Sequence, residues 1–170
     1  MTEHRTVTLE GQQMRLSGTP LEAGDQTPEF TVVDNELNHV SSRSMCEGPC
    51  VISSVVSLDT PVCDQQARRF NEEALSLSDD LNIYVISMDL PFAQERWCGA
   101  EGIERVETLS DHRNASFGRG FGILIEELRL LARATFVVDE GSTIQFTDIV
   151  DEVTDHPDYD SIFNAVKKVT

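Results

Sequence analysis

Two kinds of hydrophobic pattern alternate along the chain. Apolar, β-branched runs at CVISSVV (residues 50–56) and NIYVISMDL (residues 82–90) are typical of buried central strands. Between them, from Thr60 onward, apolar residues recur every three or four positions with charged residues in between, which predicts an amphipathic helix. A strand, a helix and a second strand in this order predict a β-α-β unit with parallel strands.

Alternating patterns on either side of this unit predict hairpins and a further strand. The segment HRTVTLEGQQMRL alternates around Gly11 and predicts a small hairpin near the N-terminus. TPEFTVVD (residues 27–34) predicts a short strand. LARATFVVD (residues 131–139) and STIQFTDIV (residues 142–150), separated by Glu-Gly, predict a second hairpin.

The remaining segments complete a recognisable plan. PFAQERWCGAEG (residues 91–102) predicts a loop with a short helical turn, and Pro157 is expected to open a C-terminal amphipathic helix. A β-α-β unit followed by a β-hairpin and a last helix is the plan of an α/β, thioredoxin-like fold, with a central mixed β-sheet flanked by helices. We predict one such domain over residues 1–170, in which residues 1–20 form an N-terminal hairpin extension.

Composition and charge narrow the classes of function. Thirty Asp and Glu against 13 Lys and Arg give a net charge of −17, which would repel nucleic acid and anionic membranes. No segment approaches the roughly 18 consecutive apolar residues of a membrane span, and the N-terminus lacks the apolar core of a secretory signal. We therefore expect a cytoplasmic protein with no nucleic-acid or membrane partner.

The segment SLDTPVCDQQ (residues 57–66) places a cysteine at the start of the predicted helix. If Thr60 is the N-cap, Pro61 occupies position N1 and Cys63 occupies position N3. Backbone N–H groups without intrahelical partners and the helix dipole both stabilise an anion in this first turn, and the thiolate is the nucleophilic form of cysteine. Cys63 is therefore a candidate nucleophile, and a small buried side chain is the alternative interpretation.

An arginine in an apolar segment is a second candidate. Arg133 lies in the predicted strand LARATFVVD and shares a face with Leu131, Thr135 and Val137 by alternation. A guanidinium that points inward needs an anionic partner, because an unpaired buried charge is costly. Two partners fit this requirement, the Cys63 thiolate and a surface carboxylate at the end of the strand.

Taken together, these residues resemble the thiol peroxidase branch of the peroxiredoxins, the atypical two-cysteine enzymes. The resemblance runs over nearly the whole chain and includes the blocks SLDTPVCD, ARRFNEEA, ISMDLPFAQERWCGAEGI, TLSDHRNASFG, LARATFVVD and IVDEVTDHPDYD. It implies an antioxidant oxidoreductase, a homodimer without cofactor or metal, that reduces hydrogen peroxide and organic hydroperoxides and is recycled by thioredoxin.

The resemblance also implies a role for each candidate residue. Cys63 matches the peroxidatic cysteine, which becomes a sulfenic acid, and Thr60 and Arg133 match the threonine and arginine that bind the peroxide and hold the thiolate. Cys98 matches the resolving cysteine, which implies an intramolecular Cys63–Cys98 disulfide. Since Cys63 is predicted on a packed helix and Cys98 on a separate loop, we expect local unwinding before they meet.

One position departs from the family motif, and two other functions stay open. The family has proline four residues before the threonine; this chain has Val56, which still shields the sulfur but does not fix φ.

A general disulfide oxidoreductase would carry C-x-x-C, whereas residues 63–66 read CDQQ. A non-catalytic redox sensor or binding module of thioredoxin fold is the other alternative. Cys46 and Cys50 lack the further ligands of a closed zinc site, so no metal is expected.

Overall fold

The computed structural model describes residues 5–45, 47–74, 76–77, 81–103 and 105–170. Its strands are β1 (Thr6–Leu9), β2 (Gln12–Ser17), β3 (Thr31–Val33), β4 (His39–Ser41), β5 (Cys50–Ser54), β6 (Asn82–Ser87), β7 (Val106–Ser110), β8 (Leu124–Ile125), β9 (Leu130–Leu131), β10 (Ala134–Val138) and β11 (Ile144–Ile149). Its helices are α1 (Ser42–Met45), α2 (Pro61–Ala74), α3 (Pro91–Glu101), α4 (Ser116–Gly120) and α5 (Tyr159–Val169).

The larger sheet holds seven strands in the order β11-β10-β5-β6-β7-β3-β4. Strands β5, β6 and β7 run parallel, and β10 is antiparallel to both β5 and β11, so the sheet is mixed. Every residue of β5 is buried, as a continuous apolar run predicts for a strand covered on both faces. The predicted thioredoxin-like α/β fold is confirmed.

Alternate residues of the central strands enter two separate apolar clusters. Ile52 and Phe136 belong to one cluster, on the side of α4 and the N-terminal hairpin, whereas Val51 and Val137 belong to the other. The second cluster is completed by residues of α2 and α5: Cys63, Ala67, Phe70, Ala74, Ile162, Phe163 and Val166. Helix α2, which carries the candidate nucleophile, therefore packs on one face of the large sheet.

A smaller sheet of order β1-β2-β8-β9 contains the N-terminal hairpin. The hairpin turns at Glu10 and Gly11, both with positive φ (51° and 83°), and β2 continues into an antiparallel pairing with β8. Backbone bonds from Thr8 N to Asp151 O (2.8 Å) and from Val153 N to Thr8 O (2.9 Å) attach it to the segment after β11. The division of the chain into a domain and an extension stays a prediction.

Residues 91–102 differ from the predicted loop, because they form the eleven-residue helix α3. Pro91 occupies its first turn, and Gly102 ends it in the left-handed conformation (φ 64°) that glycine adopts without strain. Among the described side chains of α3, only Pro91 and Gln94 are fully buried. The helix therefore has no apolar stripe, which is the signal that sequence analysis relies on.

Smaller differences concern element boundaries. Helix α5 begins at Tyr159 rather than at Pro157, because the Asp158 side chain caps it by accepting a hydrogen bond from Ser161 N at 3.2 Å. Strand β7 follows α3 and pairs in parallel with β6, although sequence analysis assigned no element there. Among the described residues, no helix is both long enough and apolar enough to cross a membrane.

Candidate active site

Cys63 lies in the first turn of α2, as the sequence predicts. The helix starts at Pro61, and Asp64 N donates to Thr60 O at 3.0 Å, which confirms Thr60 as the residue before the first helical position. The Cys63 side chain is 0% exposed and packs in the apolar cluster with Ala67 and Phe70. An anion in such surroundings needs nearby donors to compensate for lost hydration.

Arg133 supplies donors beside the sulfur. Its side chain is 2% exposed, and Nη2 donates to Cys63 Sγ at 3.4 Å. Nη1 donates to Gln66 Oε1 at 2.7 Å, while Nε and Nη2 both donate to Val153 O, at 3.0 and 2.7 Å. Among the described residues, its hydrogen-bond partners are thus the sulfur and two neutral oxygens. The Cys63 sulfur, and not a surface carboxylate, is the group that faces the guanidinium.

The backbone around Arg133 differs from the single strand that alternation predicts. The chain leaves the smaller sheet after β9 and enters the larger sheet at β10, so Arg133 lies in the two-residue connection between them. From this connection the side chain reaches Cys63 in the first turn of α2. Its backbone carbonyl accepts from Val150 N at 3.0 Å, which fixes the connection against the segment after β11.

Gln66 and Ser53 extend this hydrogen-bond network, and sequence analysis missed both. Gln66 is 0% exposed; its Nε2 donates to Ser53 Oγ, which in turn lies 3.3 Å from Thr135 Oγ1. Gln66 follows Cys63 by three residues and therefore shares its face of α2. A polar residue on the buried face of an amphipathic helix needs a partner, and that signal could have found it.

Thr60 and Arg133 line one cavity of about 250 Å³. The Thr60 hydroxyl donates to Ser57 O at 2.8 Å, which orients its oxygen within the turn before α2. Most of the cavity wall is apolar, and Val56, the residue that stands where the family has proline, is part of it. The other lining residues are Leu9, Glu10, Pro61, Val62, Val153 and Thr154. An alkyl group can therefore rest beside the two polar side chains.

Glu152 connects the N-terminal hairpin to the segment that holds Arg133. Its Oε1 accepts from Gly11 N at 2.8 Å, and its Oε2 accepts from Thr154 N and Oγ1 at 3.0 and 2.7 Å. These donors, first of all the Thr154 N–H, lower the pKa of Glu152 from 4.5 to about 2. Because Val153 O accepts from Arg133, the hairpin indirectly supports the arginine.

Cys98 lies on α3 in different surroundings. Its Sγ is 3.3 Å from Thr108 Oγ1 on β7, and that hydroxyl donates to Asn35 Oδ1 at 3.2 Å. Burial raises the pKa of the half-buried Cys98 thiol, and the hydrogen bonds with Thr108 and Asn35 offset this only in part. Cys98 lines a separate cavity of about 490 Å³ with residues of β6 and β7. Cys63 and Cys98 are both free cysteines.

The structure thus brings three of the four sequence-predicted site residues together. Arg133 contacts Cys63 and lines a cavity together with Thr60 at the start of α2, whereas Cys98 has its contacts elsewhere. Within the described part of the chain, no cluster of three or more His, Cys, Asp or Glu side chains is arranged to hold a metal ion. Cys46, half of the C-x3-C pair, lies outside the described residues.

Comparison with known proteins identifies the family to which the chain belongs. A family profile described as Redoxin matches residues 22–163. The thiol peroxidase of Bacillus subtilis (strain 168) is 52% identical over 95% of this chain and 96% of its own length, and that of Staphylococcus aureus (strain MRSA252) is 47% identical over 99% and 100%. The crystal structure of a peroxiredoxin-like protein from Aquifex aeolicus superposes with a TM-score of 0.90 at 38% identity, covering 98% of both chains. The chain therefore belongs to the redoxin family and, within it, to the thiol peroxidases.

Proposed function

We propose that Cys63 is the peroxidatic residue of a thioredoxin-dependent peroxidase that reduces hydrogen peroxide and organic hydroperoxides. Membership of the thiol peroxidases makes the chain a peroxiredoxin-type peroxidase. The observation that carries the assignment to Cys63 is the 3.4 Å contact between its sulfur and the buried guanidinium of Arg133. A cation held beside a sulfur at a helix N-terminus stabilises the thiolate, which is the form that attacks peroxides.

In the first step, the Cys63 thiolate attacks the terminal oxygen of the hydroperoxide ROOH. The O–O bond breaks, RO⁻ leaves and takes up a proton to become the alcohol or water, and Cys63 becomes a sulfenic acid. Arg133 Nη2 donates to the peroxide oxygens as charge develops on the leaving group, and the Thr60 oxygen, whose own hydrogen goes to Ser57 O, accepts from the O–H of the hydroperoxide. The apolar wall of the 250 Å³ cavity accommodates the alkyl group R.

In the second step, Cys98 attacks the sulfur of the Cys63 sulfenic acid as a thiolate. The S–O bond breaks, hydroxide leaves with the proton from Cys98 as water, and the Cys63–Cys98 disulfide forms. Because Cys98 contacts Thr108 in a separate cavity, the two segments must rearrange before the sulfurs meet. Thioredoxin then restores both thiols by two thiol–disulfide exchanges, in which its own dithiol is oxidised.

The proposal includes a cytoplasmic homodimer. A reducing compartment suits two cysteines that must return to the thiol form after each cycle. Membership of the family supports the dimer, and exposed apolar residues at the start of α3, Leu90 and Phe92, are available to an interface. Analytical ultracentrifugation of the reduced protein and fractionation of cells test these two points separately.

The decisive experiment follows NADPH consumption with thioredoxin, thioredoxin reductase and a hydroperoxide. Native protein is compared with Cys63→Ser, Cys98→Ser and, as a cysteine control, Cys46→Ser. We expect turnover to vanish in Cys63→Ser, to stop after one oxidation in Cys98→Ser and to continue in Cys46→Ser. Activity that survives Cys63→Ser would overturn the assignment. A disulfide that forms without sustained turnover in the native protein would favour the redox-sensor alternative.

A further inference from the structure

One hydrogen bond joins the two cysteine-bearing helices right beside the cysteines. Trp97 Nε1 donates to Asp64 Oδ1 at 2.6 Å. Asp64 directly follows Cys63 on α2, and Trp97 directly precedes Cys98 on α3. The Trp97 ring also packs against the apolar cluster that contains Cys63. Any motion that brings the sulfurs of Cys63 and Cys98 closer together must therefore strain or break this hydrogen bond.

Helix α3 has few other attachments on its inner face. Gln94, one of its two fully buried described side chains, donates to Ser87 Oγ at 3.0 Å and to Leu109 O at 2.8 Å. Its own Oε1 is buried and has no hydrogen-bond partner among the described residues, which costs free energy in the docked position. The bond from Trp97 to the Asp64 carboxylate is short and charge-assisted, so it carries a large share of the docking of α3.

The Asp64–Trp97 bond and a Cys63–Cys98 disulfide exclude each other while both segments remain helical. Consecutive residues of an α-helix point about 100° apart around the axis. If Asp64 and Trp97 point at each other across the two helices, their neighbours Cys63 and Cys98 point elsewhere. This agrees with the observed contacts, in which Cys63 faces Arg133 and Cys98 faces Thr108.

We propose that Asp64 and Trp97 are positioning residues that hold α2 and α3 in the closed form, and that their hydrogen bond must break before the disulfide forms. This inference rests on the proposed function of the two cysteines. In the closed form, a second hydroperoxide can oxidise the Cys63 sulfenic acid to a sulfinic acid, with release of the alcohol or water. In the open form, Cys98 displaces hydroxide from the sulfenic acid. The strength of the Asp64–Trp97 bond sets the balance between these two fates.

The inference is testable because Trp97 is the single tryptophan of the chain. Reduced protein is mixed with hydrogen peroxide in a stopped-flow instrument, and Trp97 fluorescence is recorded alongside acid-quenched samples analysed for disulfide by mass spectrometry. In native protein, we expect a fluorescence change at the same rate as Cys63–Cys98 disulfide formation and independent of peroxide concentration. In Asp64→Asn, we expect this step to be about tenfold faster, since the amide oxygen that replaces the carboxylate is uncharged and accepts a weaker bond from Trp97.

The control is Glu73→Gln, the same change from carboxylate to amide on the same helix. Glu73 pairs with Arg69 at 3.2 Å, much as Asp64 pairs with Arg68 at 3.0 Å, so both variants lose an ion pair with the residue four positions away. We expect Glu73→Gln to form the disulfide at the native rate. We also expect Asp64→Asn to yield less sulfinic acid than native protein or Glu73→Gln at the same excess of peroxide.

A second variant, Trp97→Phe, keeps an aromatic ring but removes the donor, and it is followed by mass spectrometry alone. The double variant Asp64→Asn/Trp97→Phe should be no faster than Trp97→Phe alone, because without the indole N–H the acceptor at position 64 has no bond left to weaken. Unchanged disulfide rates in the single variants, equal acceleration by Glu73→Gln, or additive effects in the double variant would each overturn the inference. Native protein that forms no Cys63–Cys98 disulfide would overturn the proposed function as well, so the two failures are distinguishable.

Discussion

Cys63 and Cys98 differ in how firmly their surroundings hold them. Cys63 is fully buried, and the guanidinium beside it makes four hydrogen bonds, two of them to a single backbone carbonyl. Cys98 is only partly buried, on a helix with two fully buried side chains among those described, and its sulfur has the uncharged side chains of Thr108 and Asn35 as hydrogen-bond partners. The same sheet thus supports one rigid site and one weakly attached site.

This difference matches the task that the proposed cycle gives to each cysteine. A nucleophile gains from donors that are fixed before the reaction, because no reorganisation is then needed as charge develops. A residue that must travel gains from weak attachment, since its helix has to open locally in every cycle. The contrast predicts that substitutions near Cys63 slow the reaction with peroxide, whereas substitutions near Cys98 speed up disulfide formation.

The largest effect is expected for Arg133→Met. This change removes the cation beside Cys63 and leaves Gln66 Oε1 and Val153 O without their donor. We expect the second-order rate constant for peroxide to fall by about 10²- to 10³-fold, as for loss of a positioned donor to a developing charge. Stopped-flow measurement over a range of peroxide concentrations gives this constant. Arg129→Met, at an exposed arginine, is the control, and a native rate in Arg133→Met would contradict the role of the guanidinium.

A smaller loss is expected for Gln66→Met. It leaves Arg133 Nη1 without its acceptor in the interior and removes the donor to Ser53 Oγ, so the free energy of unfolding should fall by about 1–3 kcal/mol. The rate constant for peroxide should fall by about tenfold, because the guanidinium loses one of the bonds that orient it. Urea denaturation and stopped-flow kinetics measure the two effects. Gln65→Met, at the exposed neighbouring position, should change neither the stability nor the rate constant. Equal losses in both variants would show that the effect does not depend on the buried hydrogen bonds of Gln66.

The placement of Cys63 could be predicted from sequence because its signals are local. The cap, the proline and the cysteine lie within four consecutive residues, and the helix begins where they indicate. The parallel strands on either side are long apolar runs, which are equally easy to detect. The partner of Arg133 stayed open because the contact joins residues 70 positions apart. Alternation tells which face a side chain occupies, but not which helix covers that face.

The surroundings of Cys98 could not be predicted for a related reason. Helix α3 lacks an apolar stripe, and the partners of the sulfur come from β7 and from the turn after β3, which only the sheet topology brings together. The weak attachment that hides α3 from sequence analysis is the same property that the proposed movement of α3 requires. Gln66 is an intermediate case, because its position on the buried face was visible but its partners were not.

On the Cys98 side, Thr108→Val should accelerate the chemistry rather than slow it. The two side chains are nearly the same size, and the change removes the hydroxyl that contacts Cys98 Sγ and donates to Asn35 Oδ1. Because a neutral hydrogen bond contributes little, we expect the disulfide step to become about two- to threefold faster. Quenched samples analysed by mass spectrometry give this rate. The matched change on the Cys63 side, Thr135→Val, should give no acceleration; if it does, the contrast between the sites is wrong.

The smallest effect concerns the hairpin that supports the rigid site. Hydrogen bonds from Thr154 and Gly11 lower the pKa of Glu152 from 4.5 to about 2, so the carboxylate stabilises the fold fully above pH 4.5 and loses this contribution as pH falls towards 2. Glu152→Gln should therefore unfold at a slightly lower urea concentration than native protein at neutral pH, and the difference should shrink steadily as pH falls from 4.5 through about 2.

Urea denaturation at several pH values measures this difference, with Glu140→Gln in the β10–β11 turn as the control. Glutamine retains one acceptor oxygen, which keeps the difference in stability small. The informative quantity is therefore how this difference changes with pH. A difference that stays constant down to pH 2 would mean that the carboxylate charge does not anchor the hairpin. The backbone bonds between Thr8 and residues 151 and 153 would then hold it alone, and support of Arg133 would not depend on Glu152.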